Sequence, residues 1–119
     1  YYIKEPLSVK YYRENATDDN VDISCDLIYK GKEVTVEGSG NGIIDAFCKL
    51  IMDKLDIKFN IVNYSEHAME FGNKSRAITY IQLFDSDQNS YFGVGTSQNV
   101  AKSSLRAIVS AVNQMIIDK

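Results

Sequence analysis

Apolar and polar side chains alternate along the first part of the chain. Leu7, Val9 and Tyr11 are interleaved with Ser8, Lys10 and Tyr12. After a polar, turn-prone stretch from Asn15 to Asn20, Val21, Ile23, Cys25, Leu27 and Tyr29 are interleaved with Asp22, Ser24 and Asp26. A period of two puts one set on each face of a half-buried strand, so strands are predicted from Leu7 to Arg13 and from Val21 to Tyr29. Lys30-Gly31 is a short turn, and Val34 and Val36 carry the alternation into a third strand, Glu33 to Glu37, paired with the second as a hairpin. The period then changes. Ile44, Phe47, Cys48, Ile51 and Leu55 lie on one face of a helix running from Ile43 to Leu55. Between strand and helix stands Gly38-Ser39-Gly40-Asn41-Gly42, read as a tight turn because glycine loses the most backbone entropy when fixed in a strand or helix.

The second half has the same order. Ile57 to Tyr64 and Ala77 to Phe84 are β-rich, the polar stretch Asp85 to Ser90 is a turn, and Tyr91 to Gly95 is a further strand. Ala101, Leu105, Ile108, Val112 and Ile116 then form an apolar stripe on a helix from Val100 to Ile117. A shift of 57 positions carries Gly38 onto Gly95, Ile43 onto Val100, Lys49 onto Arg106, Ile51 onto Ile108 and Leu55 onto Val112, and the turns Lys30-Gly31 and Asp87-Gln88 superpose. The chain therefore reads as an α+β fold of duplicated βββα units, βββαβββα. The repeats span about 1–56 and 57–119, related by a pseudo-two-fold, with helices packed on antiparallel sheets and helix starts facing a common region. That shift turns Ile78, Tyr80 and Phe84 inward with Gln82 in the place of Cys25, and leaves Ala77, Ile81 and Leu83 on the other face. A strand apolar on both faces in a small domain calls for a second cover, so dimerisation is expected.

At 119 residues the chain fits one domain with a true core. With 45% hydrophobic and 24% charged residues it has ordinary globular usage, against disorder and against membrane insertion. A net charge of -3 without basic clusters argues against nucleic acid. Cys25 and Cys48 have no C-x-x-C spacing and read as buried free thiols of a cytoplasmic protein. His67 is the only histidine, so a metal cluster or a histidine-based triad lacks partners. As a lone strand-end histidine it reads as a hydrogen-bonded structural residue. Opening on Tyr1, the sequence reads as a piece of a longer protein. The candidate chemistry lies in the glycine segment. Glycine backbone at a helix start offers outward N–H groups to a carboxylate, a phosphate or another backbone. The segment is neither G-x-G-x-x-G nor a P-loop, and a mere sharp turn is the competing reading.

The duplication, Gly38-Ser39-Gly40-Asn41-Gly42 before a helix, Asn63-Tyr64-Ser65-Glu66-His67-Ala68-Met69 with Gly72, and Gly93-Val94-Gly95 followed by Ala107-Ile108-Val109-Ser110-Ala111-Val112-Asn113 together resemble the C-terminal regulatory domain of 2-isopropylmalate synthases. The resemblance runs from about Lys32 to Met115. It implies a domain that is not itself catalytic, binds L-leucine and passes feedback inhibition to a separate catalytic TIM barrel absent from this chain. In the family that barrel holds a divalent metal and joins acetyl-CoA to 2-oxoisovalerate, so no cofactor is expected in this fragment. The family's leucine site lies where two regulatory domains meet. Carried over motif by motif, it falls on Gly40, Gly42, Ile44 and Asp45 at the turn and first helix turn, on Ile61, Tyr64 and Ala68 of the next strand, and on Val100 at the second helix start. Glycine N–H groups suit the ligand carboxylate, branched residues its isobutyl group and backbone carbonyls its ammonium. Ile44, Ile61 and Val100 equally suit a plain core, and Asp45 equally suits the helix dipole. Ile43, where the family often has proline, and Asp45 depart from its common pattern. The expected partners are a branched-chain amino acid, a second copy of the chain and the catalytic barrel. A citramalate synthase domain sensing isoleucine, or a dimerisation module without ligand, are the alternatives.

Overall fold

The computed structural model describes residues 6–72 and 74–118. The order is β1 (Leu7–Ala16), β2 (Val21–Tyr29), β3 (Lys32–Gly40), α1 (Ile43–Lys54), β4 (Asn60–Phe71), β5 (Lys74–Phe84), β6 (Ser90–Ser97) and α2 (Val100–Asp118). Two antiparallel three-stranded sheets, β1-β2-β3 and β4-β5-β6, are each followed by a helix, the expected α+β βββαβββα pattern. The chain divides into two compact units after Ile57.

In the first unit α1 lies over β3 and part of β2. Ile23, Cys25 and Leu27 of β2 and Ala46, Phe47, Cys48, Leu50 and Ile51 of α1 form its core. Burying each larger aliphatic or aromatic side chain contributes about 1.5–3 kcal/mol. Ile44 and Leu55, placed on the same face by periodicity, are only half-buried, and Leu55 is the C-cap. Lys30 (φ 50°) and Gly31 (φ 85°) make the two-residue hairpin turn in the left-handed region, where glycine carries no Cβ penalty.

The glycine segment corrects the expected turn. Gly38 and Gly40 belong to β3, opposite Ile23 and Val21, and Gly93 and Gly95 belong to β6. These glycines serve close packing of strand on helix. A Cβ on Gly38 would stand 2.9 Å from Cβ of Leu50, and one on Gly93 would stand 2.6 Å from the backbone nitrogen of Ala111. The entropy lost by glycine in a strand is outweighed by the contact its missing side chain permits.

In the second unit α2 lies over β6 and β5. Ala77, Thr79, Ile81 and Leu83 of β5 face it and are buried, whereas Tyr80 is 45% exposed. The expected inward set Ile78, Tyr80 and Phe84 is thus the outward one. The ladder shows why. Val21 pairs with Gly40, and Ala77 pairs with Ser97. Third strands and helices correspond at a shift of 57 but second strands at 56, because the Asp85–Asn89 turn is one residue longer than its counterpart. One residue of slip exchanges the two faces of a strand.

First strands correspond at 52. Each carries an irregularity at the same place, between Val9 and Tyr11 in β1 and between Ile61 and Asn63 in β4. The bulge turns Tyr11 outward, 54% exposed, and brings Tyr12 opposite Cys25 on the inner face, reversing the simple alternation.

Candidate functional site

In each unit the helix covers the second and third strands and leaves the inner face of the first strand more open beyond its bulge. On β4 that strip is Tyr64, Glu66 and Ala68, paired with Ile81, Thr79 and Ala77 and all exposed. The Tyr64 hydroxyl donates a 2.8 Å hydrogen bond to Oε2 of Glu66. Its partial burial and this carboxylate raise the phenol's pKa, with the Ser104 hydroxyl in the first turns of α2 acting the other way. A phenol and a carboxylate therefore meet on the strip. Such a strip can present an apolar ring face together with a carboxylate acceptor for a cationic group.

Val100 opens α2 and is 50% exposed. Its carbonyl accepts hydrogen bonds from Ser103 Oγ at 2.8 Å and Ser104 Oγ at 3.1 Å. The Asn99 side chain caps the helix by accepting from the Lys102 amide at 3.1 Å. Beneath, Ser103 and Thr79 share a buried 2.9 Å hydrogen bond, so this end of α2 is pinned to β5. Ile61 lies half-buried on β4 beside the bulge. In the second unit Tyr64 and Glu66 are thus brought into contact.

In the first unit Gly40 closes β3 against the start of α1, where a Cβ would meet Ala46 nitrogen at 2.7 Å. Gly42 is the N-cap in extended conformation (φ -159°, ψ 177°), with open space where a Cβ would stand. Ile44 and Asp45 are in the first turn of α1. The Asp45 carboxylate accepts the Asn41 amide at 2.9 Å and pairs with Lys49 at 3.2 Å. The Asn41 N–H, with Lys49 second, holds this carboxyl below its ordinary pKa. One amide of the glycine segment is therefore satisfied by the protein's own carboxylate, in the manner of a capping-box acid reaching back past a glycine N-cap.

Sequence reasoning missed Glu66 and Ser104. It also missed the counterpart of the β4 strip, Tyr12, Glu14 and Ala16 on the inner face of β1. The signal was present as Tyr-x-Glu-x-Ala, once at Tyr12-Arg13-Glu14-Asn15-Ala16 and again at Tyr64-Ser65-Glu66-His67-Ala68. Its spacing of 52 is invisible to a search at 57.

A duplicated βββα scaffold with an open polar and aromatic strip on each first strand is the architecture of a small binding or assembly domain. The chain belongs to the LeuA allosteric (dimerisation) domain family, whose model matches residues 2–116. It is 38% identical over 118 residues to a 2-isopropylmalate synthase of Acetoanaerobium sticklandii, covering 97% of this chain and 21% of that protein. It is 36% identical over 114 residues to a 2-isopropylmalate synthase of Clostridium acetobutylicum, covering 96% of this chain and 20% of that protein. The chain thus spans about a fifth of the length of these curated relatives.

Proposed function

We propose that this chain is the amino-acid-sensing regulatory domain of a 2-isopropylmalate synthase, binding L-leucine and self-associating as a homodimer. The observation that carries the reading is the match to an allosteric and dimerisation domain along residues 2–116. The surface chemistry supports it. In the second unit the Tyr64 ring and Ile61 offer apolar area, Ala68 leaves room on the strand, and Glu66 beside Tyr64 offers a carboxylate to the ligand ammonium. Val100 adds an exposed apolar side chain at the start of α2. In the first unit Gly40, Gly42, Ile44 and Asp45 form a compact helix start with one open position, at Gly42.

In the longer protein a catalytic barrel joins acetyl-CoA to 2-oxoisovalerate, and leucine bound here inhibits it. Inhibition requires leucine to bind the less active of two states more tightly, because equal affinity shifts nothing. The reading places the protein in the cytoplasm; among the described residues no helix is long and apolar enough to cross a membrane.

The test is isothermal calorimetry of the chain with L-leucine, L-isoleucine and L-valine, repeated with Tyr64→Ala. Saturable leucine binding that weakens about tenfold or more in the variant supports the assignment, a loss of at least about 1.4 kcal/mol. Preference for isoleucine identifies a citramalate-synthase type of sensor. No binding by a folded chain overturns the sensor reading.

A further inference from the structure

The two helix starts differ in one chemical respect although they correspond at a shift of 57 positions. The first is entered through Asn41-Gly42 and the second through Gln98-Asn99. Asn41 is the only asparagine of the chain that is followed by glycine. The carboxamide carbon of an asparagine is an electrophile that the next residue's backbone nitrogen can reach by closing a five-membered ring, which makes asparagine a thermolabile residue. A side chain on that next residue hinders ring closure, and glycine has none.

The surroundings leave this pair free to react. Asn41 is exposed, in the bend between the end of β3 and the start of α1. Among the described residues its carboxamide makes no hydrogen bond, and neither does the Gly42 N–H. The Asp45 carboxylate holds only the Asn41 N–H, at 2.9 Å, an atom that takes no part in ring closure. Open space lies on the side of Gly42 where a Cβ would stand. Other asparagines are held. Asn63 donates to Gln82 at 2.6 Å, Asn20 to Asp22 at 3.0 Å and Asn89 to Asp85 at 3.3 Å. Asn99 accepts the Lys102 amide and precedes the branched Val100, and Asn113 is buried in α2.

We propose that Asn41 is a site of spontaneous deamidation, which places a new carboxylate at the first helix start. The Gly42 nitrogen, losing its proton to solvent base, attacks Cγ of Asn41. The new C–N bond closes a succinimide, and the former carboxamide nitrogen leaves as ammonia. Water then opens the ring at either carbonyl. Breaking the Cγ–N bond gives aspartate, and breaking the original peptide bond gives isoaspartate, with the main chain rerouted through Cγ. One water is consumed and one ammonia released. Either product adds a negative charge to a chain of net charge -3, at a residue whose N–H lies 2.9 Å from the Asp45 carboxylate. Like charges this close repel. The new carboxylate also stands between Gly40 and Gly42, where on the sensor reading it opposes the carboxylate of a bound amino acid.

The test follows the 119-residue chain in mildly alkaline buffer by peptide mass spectrometry and isoaspartate methyltransferase labelling, beside Gly42→Ala. Gly42 has extended backbone and open surroundings, so alanine fits there and Asn41 is retained. Circular dichroism checks that both chains stay folded. The expected result is a mass gain of one dalton that comes first in the peptide holding Asn41, with isoaspartate in it. The rate should rise with pH and be severalfold lower in Gly42→Ala. A folded chain whose Asn41 is modified no faster than its other asparagines overturns the proposal, and so does an unchanged rate in Gly42→Ala. Should that variant fail to fold, Asn41→Gln replaces it, and a mass gain that persists in the same peptide overturns the assignment. Calorimetry of fresh and aged chain with L-leucine tests the consequence for the site, which rests on the sensor reading. Severalfold weaker binding after ageing supports that consequence, and equal binding overturns it. A fresh chain that binds no leucine overturns the sensor reading and leaves the deamidation site standing.

Discussion

Gly95 of β6 and Ala107 of α2 are so close that a Cβ on the glycine would stand 2.5 Å from the alanine's backbone nitrogen. Neither backbone atom belongs to a flexible side chain that could swing aside. The strand and helix are in direct main-chain contact, and the absence of one methyl group makes it possible.

Gly95→Ala should therefore destabilise the chain by about 2 kcal/mol or more, in the upper range for overpacking. Gly42→Ser is the contrasting substitution. Its backbone is extended and its surroundings open, so a serine N-cap should stabilise by a few tenths of a kcal/mol. Urea denaturation of both variants reads the difference. Equal effects would contradict the packing assigned to β6.

Asp45 gives an acid-side prediction. Its carboxyl is held below 3.8 by the Asn41 amide and by Lys49, so its contribution is present above that value and lost as pH falls through the folded-state pKa. Because the group is solvent-accessible the effect is small. Asp45→Asn should cost on the order of 0.5 kcal/mol at pH 7. The gap between variant and wild type should close as the pH is taken well below 3.8 in a thermal-melting series. A gap that persists unchanged in acid would mean the side chain acts through shape instead of charge.

The alkaline side is set by three buried groups. The Tyr91 hydroxyl donates to Asp118 at 2.8 Å, and this bond, followed by burial and the nearby carboxylates, pushes its pKa from 10.0 to about 12. Burial pushes the Cys25 and Cys48 thiols from 9.0 to about 12. In each case the folded chain keeps a proton that the unfolded chain releases. Their stabilisation is whole below about pH 9 and declines as the pH rises towards 12. Tyr91→Phe should flatten this decline above pH 10 while leaving the cysteine part in place, and denaturant midpoints across pH 8–11.5 measure it. An unaltered slope would show that Tyr91 is not held by Asp118 in solution.

Much of this was legible from residue order. The period-two face Ile23, Cys25 and Leu27 is buried as read, and so is the stripe Leu105, Ile108 and Val112 of α2. The duplication was visible in Gly38 with Gly95 and Ile51 with Ile108, because strand, helix and their junction recur at one spacing. The candidate strip was half legible. Tyr64 and Ala68 were singled out, but their partner Glu66 depends on which face of β4 turns inward, and a bulge decides that.

Local pattern determined the element types and the two-fold repetition, since burial on one side imposes a period on any strand or helix. Tertiary structure alone decided which face of β5 is the core, that Gly38 and Gly40 continue β3 instead of ending it, and which face of each first strand turns inward beyond its bulge. Each of these turns on a shift of one residue or on two backbones meeting. Such features are set by long-range packing, to which side-chain order along the chain is blind.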